Sequence, residues 1–424
     1  MKPALLYLTN QIPFPPSKKS RLRDFYTLQV LSEHFDISLG AFIREKSDWQ
    51  YTSMLRQWCK DVFFLPNMAE LQETMAWVKA WALGHSYFRV ICQQPDMQEW
   101  IDDIRQKRQM QKVYIANPLM AHYVPFDDPN LTTVVDFTRL PSEQVKQRIN
   151  RSAWPTTAFL KWELEKLQQE EINIANQASL NLGCASAELH SFKEELKKID
   201  RPALLLPVGV DQNFFDPKRQ YINPFEEEQK ILVFPGALDY WPNVDAVTWF
   251  VREIFPLIRS RVKNAHFYII GENPCMPVQV LAQYPGVHVV DEYHDIRPYL
   301  AHANVAIAPV QLAEMAKTQI LEAISMATPL VASKGALENL AIEAKKPIYC
   351  EETDEQWVHR IVECLTSPDD KAALDWEREI IVKEHNWEVT LSPLLHFLGV
   401  DIQEPKWVRA FSDKRVKVGT KSSG

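Results

Sequence analysis

The chain has 424 residues, which is too long for one ordinary domain and about right for two or three. Its composition, 46% hydrophobic and 24% charged residues, is that of a soluble globular protein, and the net charge of −8 argues against general nucleic-acid binding. Glycine is scarce, with 11 residues, although proteins that bind phosphate groups commonly use glycine to bring backbone N–H groups close to the ligand.

The first half of the chain alternates short apolar runs with helical stretches. Strands are predicted at 4–10, 36–42, 61–66, 112–117, 131–137 and 178–186, and helices at 21–35 and 158–177. Strands that alternate with helices in this way form a parallel sheet covered on both faces. We therefore expect a Rossmann-like N-terminal domain over residues 1–205.

The same pattern restarts in the second half. Strands are predicted at 231–236, 265–271, 286–293, 303–310, 328–333 and 346–350, with an amphipathic helix at 244–262. We expect a second Rossmann-like domain over 206–385, a helix at 386–400 that crosses back to the first domain, and a disordered basic tail at 401–424. The fold class is thus α/β, with two doubly wound Rossmann-like domains facing a cleft, and ligands are expected beyond the carboxyl ends of the strands.

No metal site or membrane span is predicted. The six cysteines have no CxxC spacing, and neither a DxD motif nor a His/Cys cluster offers metal ligands, so we expect buried free thiols. The N-terminal apolar run is too short for a signal peptide, and no stretch approaches the roughly 18 apolar residues of a membrane span. We expect a cytoplasmic protein. Trp77 and Trp81, beside Lys79, either face the core or rest on the inner face of the membrane.

The stretch LAEMAKTQILEAISMATPLVAS, residues 312–333, reads as a polar loop, a helix and a strand. A helix starting near Ala316 would present its free backbone N–H groups and its positive dipole end to a diphosphate, with Lys317 and Thr318 in the first turn. Glu314 and Glu322 bracket this start with seven residues between them. The alternative is that both glutamates lie on a solvated helix.

Four stretches carry a resemblance to a known family: residues 10–42, 207–217, 236–259 and 294–333. The chain resembles a GT-B glycosyltransferase of the large retaining family with a Glu-x7-Glu motif. More narrowly, it resembles the bacterial sugar transferases associated with PEP-CTERM/exosortase exopolysaccharide systems. The most specific stretch is GALDYWPNVDAVTWFVREIFPLIR, and the resemblance extends to about residue 400.

The resemblance implies transfer of a sugar from a nucleoside-diphosphate donor to a hydroxyl of a lipid-linked or polysaccharide acceptor. It implies retention of anomeric configuration and no metal or other cofactor. Glu322 is expected to bind the ribose and Glu314 to face the donor sugar. The remaining donor-binding candidates are Lys317, Thr318, Gly236, Gly271, Glu272, Tyr293 and His294, several of which could equally serve packing.

In the first domain, the resemblance places the loop at 13–23 against the acceptor and the donor phosphate. Lys18 and Arg21 are the candidate phosphate ligands, and the alternative is a solvated helix start. Asp136, at the end of a strand, is a candidate for holding an acceptor hydroxyl or acting as a base. His122 is a candidate for contacting the donor sugar, although a lone histidine is more often structural.

The chain departs from the family at several glycines and at one lysine. In the loop at 13–23, Lys19 stands where the family usually has glycine. After the helix that starts near Ala316, Ala327 stands where the family usually has glycine. Gln319 stands three residues before Glu322, where the family usually has lysine. Either the protein is a divergent active enzyme or it is a degenerate copy that serves as a non-catalytic partner subunit. Sugar-nucleotide epimerases share the architecture, but the 236–259 stretch disfavours them.

Overall fold

The computed structural model describes residues 2–16, 19–66, 69–149, 152, 154, 156–184, 201–291, 295–309, 316–337, 347–367 and 371–402. Within these ranges, the side chains at 19–20, 69–75, 147, 184, 316–317, 371 and 377 are not described. By its internal contacts the chain divides into two units. Among the described residues, unit 1 contains the chain up to Cys184, the segment up to Leu206 and the chain from Leu391, and unit 2 contains Pro207–Thr390.

Unit 1 is built on a sheet of parallel strands. In the described part of the chain these are β1 Ala4–Thr9, β2 Asp36–Ile43, β3 Asp61–Pro66, β4 Lys112–Ile115, β5 Thr132–Asp136, β6 Leu180–Cys184 and β7 Ala203–Leu206. Their order across the sheet is β3-β2-β1-β4-β5-β6-β7. The strands are apolar on both faces because helices cover both sides, as the near-complete burial of β1 and β2 shows.

The helices of unit 1 connect these strands. They are α1 Lys19–His34, α2 Ala69–Leu83, α3 Tyr87–Cys92, α4 Pro95–Arg108, α5 Pro141–Ile149 and α6 Thr156–Gln177, with 3₁₀ turns at Lys46–Tyr51, Met54–Gln57 and Pro118–Tyr123. Helices α2 and α3 form a small satellite core of their own, in which Ala76, Ala80, Tyr87 and Val90 are buried and Trp162 of α6 packs against them.

Helix α6 binds the first turns of two other helices through the glutamates Glu163, Glu170 and Glu171. Glu163 accepts hydrogen bonds from the backbone N–H groups of Tyr87 and Phe88, at 2.8 and 3.2 Å. Glu170 accepts from the backbone N–H and the hydroxyl of Ser86 at 3.0 and 2.6 Å, and Glu171 accepts from the same two groups of Ser142 at 3.0 and 2.6 Å. The N–H groups that begin α3 and α5 are therefore satisfied by carboxylates from α6, which also suit the positive ends of these helices.

Unit 2 repeats the plan with a second parallel sheet. Its described strands are β8 Lys230–Pro235, β9 Ala265–Ile270, β10 Val287–Val290, β11 Val305–Ala308, β12 Leu330–Ala332 and β13 Ile348–Cys350. Their order is β10-β9-β8-β11-β12-β13.

The helices of unit 2 follow the strands in turn. They are α7 Trp241–Trp249, α8 Phe255–Arg261, α9 Met276–Gln279, α10 Arg297–His302, α11 Ala316–Ser325, α12 Lys334–Leu337, α13 Asp354–Thr366 and α14 Lys371–His385, and α15 Trp387–Phe397 begins in unit 2 and ends in unit 1. Helices α7 and α8 are joined by a π-helical segment at Phe250–Ile254, which Pro256 explains because it cannot donate to the preceding turn.

The predicted α/β fold of two doubly wound domains is confirmed by the two parallel sheets and their covering helices. Helix α11 begins at Ala316, as the sequence predicts. The helix predicted at 244–262 begins earlier, at Trp241, with Pro242 in its first turn. Strand β7 was not predicted, because four residues that are only half buried leave little periodic signal. In the described part of the chain, no helix is long and apolar enough to span a membrane.

Candidate functional site

The candidate site in unit 2 lies where the order of its sheet reverses. Strands β8 and β11 are neighbours in the sheet although they are not consecutive in the chain. In doubly wound sheets, the crevice outside the carboxyl ends of two such strands is the usual ligand site. Gly236 directly follows β8, and helix α11 follows β11. The glycine and the helix that the sequence predicts at the donor site therefore follow the two strands that flank this point.

Gly271 is needed for the close approach of two backbones, and Gly236 for the close packing of side chains against the loop after β8. The N–H of Gly236 donates to the carbonyl of Ile270 at 2.8 Å, and the N–H of Gly271 donates to the carbonyl of Val290 at 3.0 Å. A Cβ at Gly271 would lie 1.8 Å from the carbonyl oxygen of Gly236. Both glycines thus serve the packing of the loops after β8 and β9, and both of their N–H groups bond to the sheet.

Two buried amide side chains surround Gly236. The Nδ2 of Asn243 and the Nε2 of Gln319 each lie 3.2 Å from the position that a Cβ at Gly236 would take. Asn243 donates to the carbonyl of Ala237 at 3.0 Å. Its Oδ1 and the Nε2 of Gln319 are buried and have no hydrogen-bond partner among the described residues. Buried polar atoms without a partner are costly, so these two atoms mark a place where a polar ligand would be stabilised.

Glu322 lies one turn after Gln319 on the same side of α11, and it is buried. Thr318 is half buried in the first turn, where the backbone N–H groups have no partner within the helix. Glu272 is exposed directly after Gly271. The backbone of Lys317 belongs to α11, but its side chain is not described.

Three donor-binding candidates fall outside the described residues: Glu314, Tyr293 and His294. Asn243 was missed by the sequence reasoning, since an asparagine in the first turn of a helix gives no specific signal. Gln319 was noticed only as the position where the resembled family usually has lysine, and it was not included among the candidate site residues.

Asp136 of unit 1 is buried in a dense polar network. Its Oδ2 accepts from the Nε of Arg23 at 2.9 Å and from the hydroxyl of Tyr114 at 2.8 Å, and its Oδ1 accepts from the N–H of Thr138 at 2.8 Å and from the Thr138 hydroxyl. Burial by itself raises the pKa of an aspartate, but Arg23 and the Thr138 donors outweigh burial and hold the pKa of Asp136 below its usual value. Asp136 is therefore a charged carboxylate, and both of its oxygens accept hydrogen bonds.

A second buried ion pair lies beside the first. Asp24 of α1 pairs with Arg139, and the hydroxyl of Tyr7 donates to the backbone carbonyl of Asp24 at 2.9 Å. The ring centroids of Tyr7, on β1, and Tyr114, on β4, lie 4.9 Å apart beside this network. Burial raises the pKa of Asp24 even though Arg139 counteracts it.

The structure places Arg21 differently from the sequence expectation. Its side chain is buried, and it donates to both carboxylate oxygens of Asp48, at 2.8 and 2.7 Å, and to the carbonyl of Phe14 at 2.6 Å. A guanidinium held in this way fixes the loop before α1 and is not presented to a phosphate. Lys18 lies outside the described residues.

His122 lies in the 3₁₀ turn after β4 and lines a cavity of about 280 Å³. Arg89, Leu167, Glu170 and Ile174 also line this cavity. Burial lowers the pKa of His122 to about 4, so the ring is neutral at neutral pH, and its Nε2 has no hydrogen-bond partner in the described part of the chain. Its ring contacts Tyr123, with centroids 4.0 Å apart. Among the described residues there is no group of three or more His, Cys, Asp and Glu placed to hold a metal ion.

Residues 229–367 match a family model described as "Glycosyl transferases group 1". No curated protein matches the chain. The fold is shared with solved structures. A glycosyltransferase from Rickettsia africae is 12% identical with a TM-score of 0.56 and covers 93% of this chain and 97% of its own.

Two further solved structures are similar over comparable lengths. HepE from Anabaena, in complex with UDP and glucose, is 12% identical with a TM-score of 0.57 and covers 93% of this chain and 99% of its own. Sucrose-phosphate synthase from Thermosynechococcus elongatus is 14% identical with a TM-score of 0.59 and covers 97% of this chain and 100% of its own. At these identities the likeness shows the fold, which is the two-domain GT-B fold of glycosyltransferases.

Proposed function

We propose that the protein is a glycosyltransferase that moves a sugar from a nucleoside-diphosphate donor to a hydroxyl acceptor. The observation that carries this proposal is the match of residues 229–367 to the group 1 glycosyl transferase model. The matched segment begins just before β8 and ends at α13, so it contains the reversal point of the second sheet, both glycines and the whole of helix α11.

The geometry of unit 2 supports a nucleotide site at this point. The first turn of α11 supplies backbone N–H groups that have no partner within the helix and a positive dipole end, which stabilise a diphosphate as it becomes the leaving group. The Nε2 of Gln319, which has no hydrogen-bond partner among the described residues, belongs to the same turn. We assign Glu322, one turn after Gln319, to the ribose hydroxyls. We assign Lys317 to the phosphates and Glu314 to the donor sugar.

The finer parts of the proposal come from the resemblance in sequence. The transfer retains anomeric configuration, needs neither metal nor cofactor, and serves exopolysaccharide or glycolipid assembly in the cytoplasm, with a lipid-linked or polysaccharide acceptor. UDP-glucose is the first donor to test, because the Anabaena structure contains UDP and glucose. His122 and Asp136 are not assigned a step, since the first is a neutral ring and the second is bonded on both oxygens.

The test is isothermal titration calorimetry of the whole protein with UDP and with GDP. Micromolar binding of one nucleotide is expected, with at least a tenfold loss in Glu322→Ala and in Lys317→Ala. Glu355→Ala, an exposed glutamate of α13, and Lys263→Ala are the matched controls and should bind as the unaltered protein does. Release of UDP from UDP-glucose in the presence of an acceptor extract then tests transfer. Failure of the unaltered protein to bind any nucleoside diphosphate would contradict the proposal.

A second candidate is a non-catalytic partner subunit of the same fold. One observation favours it: the N–H groups of Gly236 and Gly271 are bonded to the sheet, and the polar side chains nearest Gly236 are the neutral amides Asn243 and Gln319. Nucleotide binding without turnover, or neither, would distinguish this candidate. An epimerase would instead convert the donor sugar in the absence of any acceptor.

A further inference from the structure

Helix α2 exposes an apolar face. In the part of α2 whose side chains are described, Ala76 and Ala80 are buried, and Trp77 stacks on Tyr87 with ring centroids 4.3 Å apart. The remaining side chains of this stretch are exposed to solvent, and they are Val78, Lys79, Trp81, Ala82 and Leu83. Val78 and Trp81, three residues apart, lie on one side of the helix, whereas Leu83, two residues after Trp81, points away from it. Trp81 is 74% exposed. A helix that is apolar on both sides is usually covered on both sides. We therefore expect another molecule to cover the exposed face of α2.

The start of helix α6 adds further exposed aromatic residues. Phe159 is 59% exposed, and Trp154, two residues before the helix, is 84% exposed. The ring of Phe159 lies 6.1 Å from that of Trp77, so α2 and the start of α6 are neighbours. We call Val78, Trp81, Trp154 and Phe159 the aromatic surface.

The aromatic surface lies beyond the carboxyl ends of the strands of unit 1. Helix α6 has 22 residues and ends at Gln177, shortly before strand β6 begins at Leu180. Its length is about 33 Å, at about 1.5 Å per residue, whereas a five-residue strand spans only about 17 Å. The first half of α6 therefore extends past the strand ends. Phe159 lies in this half, and the core formed by α2 and α3 packs against it. This is the side on which such sheets bind their ligands.

We propose that the aromatic surface binds a lipid bilayer that contains anionic headgroups. Trp and Phe insert at the level between headgroups and acyl chains, and tryptophan can do so while its N–H group bonds to the headgroups. The single charged residue among the described side chains of the α2 face is the cation Lys79, whose charge is complementary to anionic lipid.

The proposal goes beyond sugar transfer and does not depend on it. If the proposed function also holds, the same surface brings unit 1 to a lipid-linked acceptor. Membrane binding and nucleotide binding are measured separately, so either one can fail without the other.

The experiment is co-sedimentation of the full chain with vesicles of phosphatidylcholine and phosphatidylglycerol, compared with vesicles of phosphatidylcholine alone. We expect binding to the anionic vesicles and a loss of about tenfold or more in the double variant Trp81→Ser/Phe159→Ser, because two of the three exposed aromatic side chains of the aromatic surface are removed. Lys79→Glu should weaken binding to anionic vesicles more than binding to neutral ones. Trp376→Ser, which removes a 60% exposed tryptophan from α14 of unit 2, is the matched control and should bind within twofold of the unaltered protein.

Unchanged circular dichroism and an unchanged urea unfolding transition in the double variant establish that it is folded. The proposal is overturned if the unaltered protein does not bind anionic vesicles. It is also overturned if the double variant binds them equally well, or if the substitutions abolish self-association in light scattering while vesicle binding is absent. The last result would assign the aromatic surface to a second copy of this chain.

Discussion

The Cα of Gly271 faces the carbonyl oxygen of Gly236 so closely that a Cβ at position 271 would lie 1.8 Å from that oxygen. The two residues end neighbouring strands, and the N–H of Gly236 already donates to the carbonyl of Ile270. Because the obstructing atom is backbone and is fixed by the sheet, it cannot move aside as a flexible side chain would. In a chain with only 11 glycines, two are placed here.

Gly271→Ala should therefore destabilise the protein by about 1–3 kcal/mol, the usual cost of forcing an extra methyl group into packed surroundings. It should also weaken nucleotide binding, since the loops after β8 and β9 must separate. The free energy of unfolding in urea and calorimetry with UDP measure the two effects. Gly84→Ala is the control: no atom lies within 4 Å of its Cβ position, so only the cost of its positive φ of 68° remains, about 1 kcal/mol. Equal costs in the two variants would contradict the steric argument.

Gln319→Leu should separate stability from binding. The Nε2 of Gln319 is buried and has no hydrogen-bond partner within the part of the chain that the structure describes, so a leucine of similar size removes an unsatisfied group and should leave the free energy of unfolding unchanged or raise it by about 1 kcal/mol. If that nitrogen binds the nucleotide, affinity should fall by about tenfold. Gln283→Leu, at an exposed position in unit 2, controls for the substitution itself and should not change affinity. A loss of stability with unchanged affinity would mean that Gln319 serves folding alone.

Local sequence patterns were sufficient for the described strands other than β7 and for the start of α11. Strand β1 is almost wholly buried, so its run of apolar residues is unambiguous, and the helix at Ala316 follows a strand and a polar loop in the order that a parallel sheet requires. The position of Gly236 at a strand end followed from the same pattern.

The partners of the polar side chains could not be predicted in this way. Asp136 pairs with Arg23, 113 residues away in the chain, and Arg21 pairs with Asp48 in a 3₁₀ turn. Periodicity reports which side of a helix or strand is buried, but it does not report which charged groups meet there. Arg21 was therefore expected at a phosphate, although it fixes a loop. The Oδ1 of Asn243 and the Nε2 of Gln319, which have no hydrogen-bond partner among the described residues, likewise depend on a close approach that only the three-dimensional structure reveals.

Asp136→Asn should destabilise unit 1 strongly. The substitution leaves the Arg23 guanidinium, whose side chain is mostly buried, facing a neutral amide, and breaking a buried pair in this way costs about 3–5 kcal/mol. Since the folded pKa of Asp136 is below its usual value, the penalty should be full at neutral pH and should shrink as the pH falls below about 4, because the unfolded state takes up a proton there before the folded state does.

The control for this prediction is Asp36→Asn. Asp36 pairs with Lys60 at 2.8 Å in an exposed ion pair, for which a cost of no more than about 1 kcal/mol is expected. Urea unfolding at several pH values measures both variants. Similar small costs for the two would show that the Asp136 network contributes little to folding, and a loss of sugar transfer without a loss of stability would return Asp136 to the list of catalytic candidates.

Glu163 gives the protein a pH-dependent stability of opposite sign. Burial raises the pKa of Glu163 from 4.5 to about 7, although the N–H groups of Tyr87 and Phe88 donate to its carboxylate. Between these two pH values the folded state holds a proton that the unfolded state has lost, so the free energy of unfolding falls as the pH rises, by up to about 1.4 kcal/mol per pH unit. Glu163→Gln removes the titration, and its free energy of unfolding should rise relative to that of the unaltered protein as the pH increases from about 5 to 7. Glu165→Gln, an exposed position on the same helix, should follow the unaltered protein across this range. Parallel curves for Glu163→Gln and the unaltered protein would show that Glu163 does not titrate there, and that α6 binds α3 through a carboxylate that is already charged at pH 5.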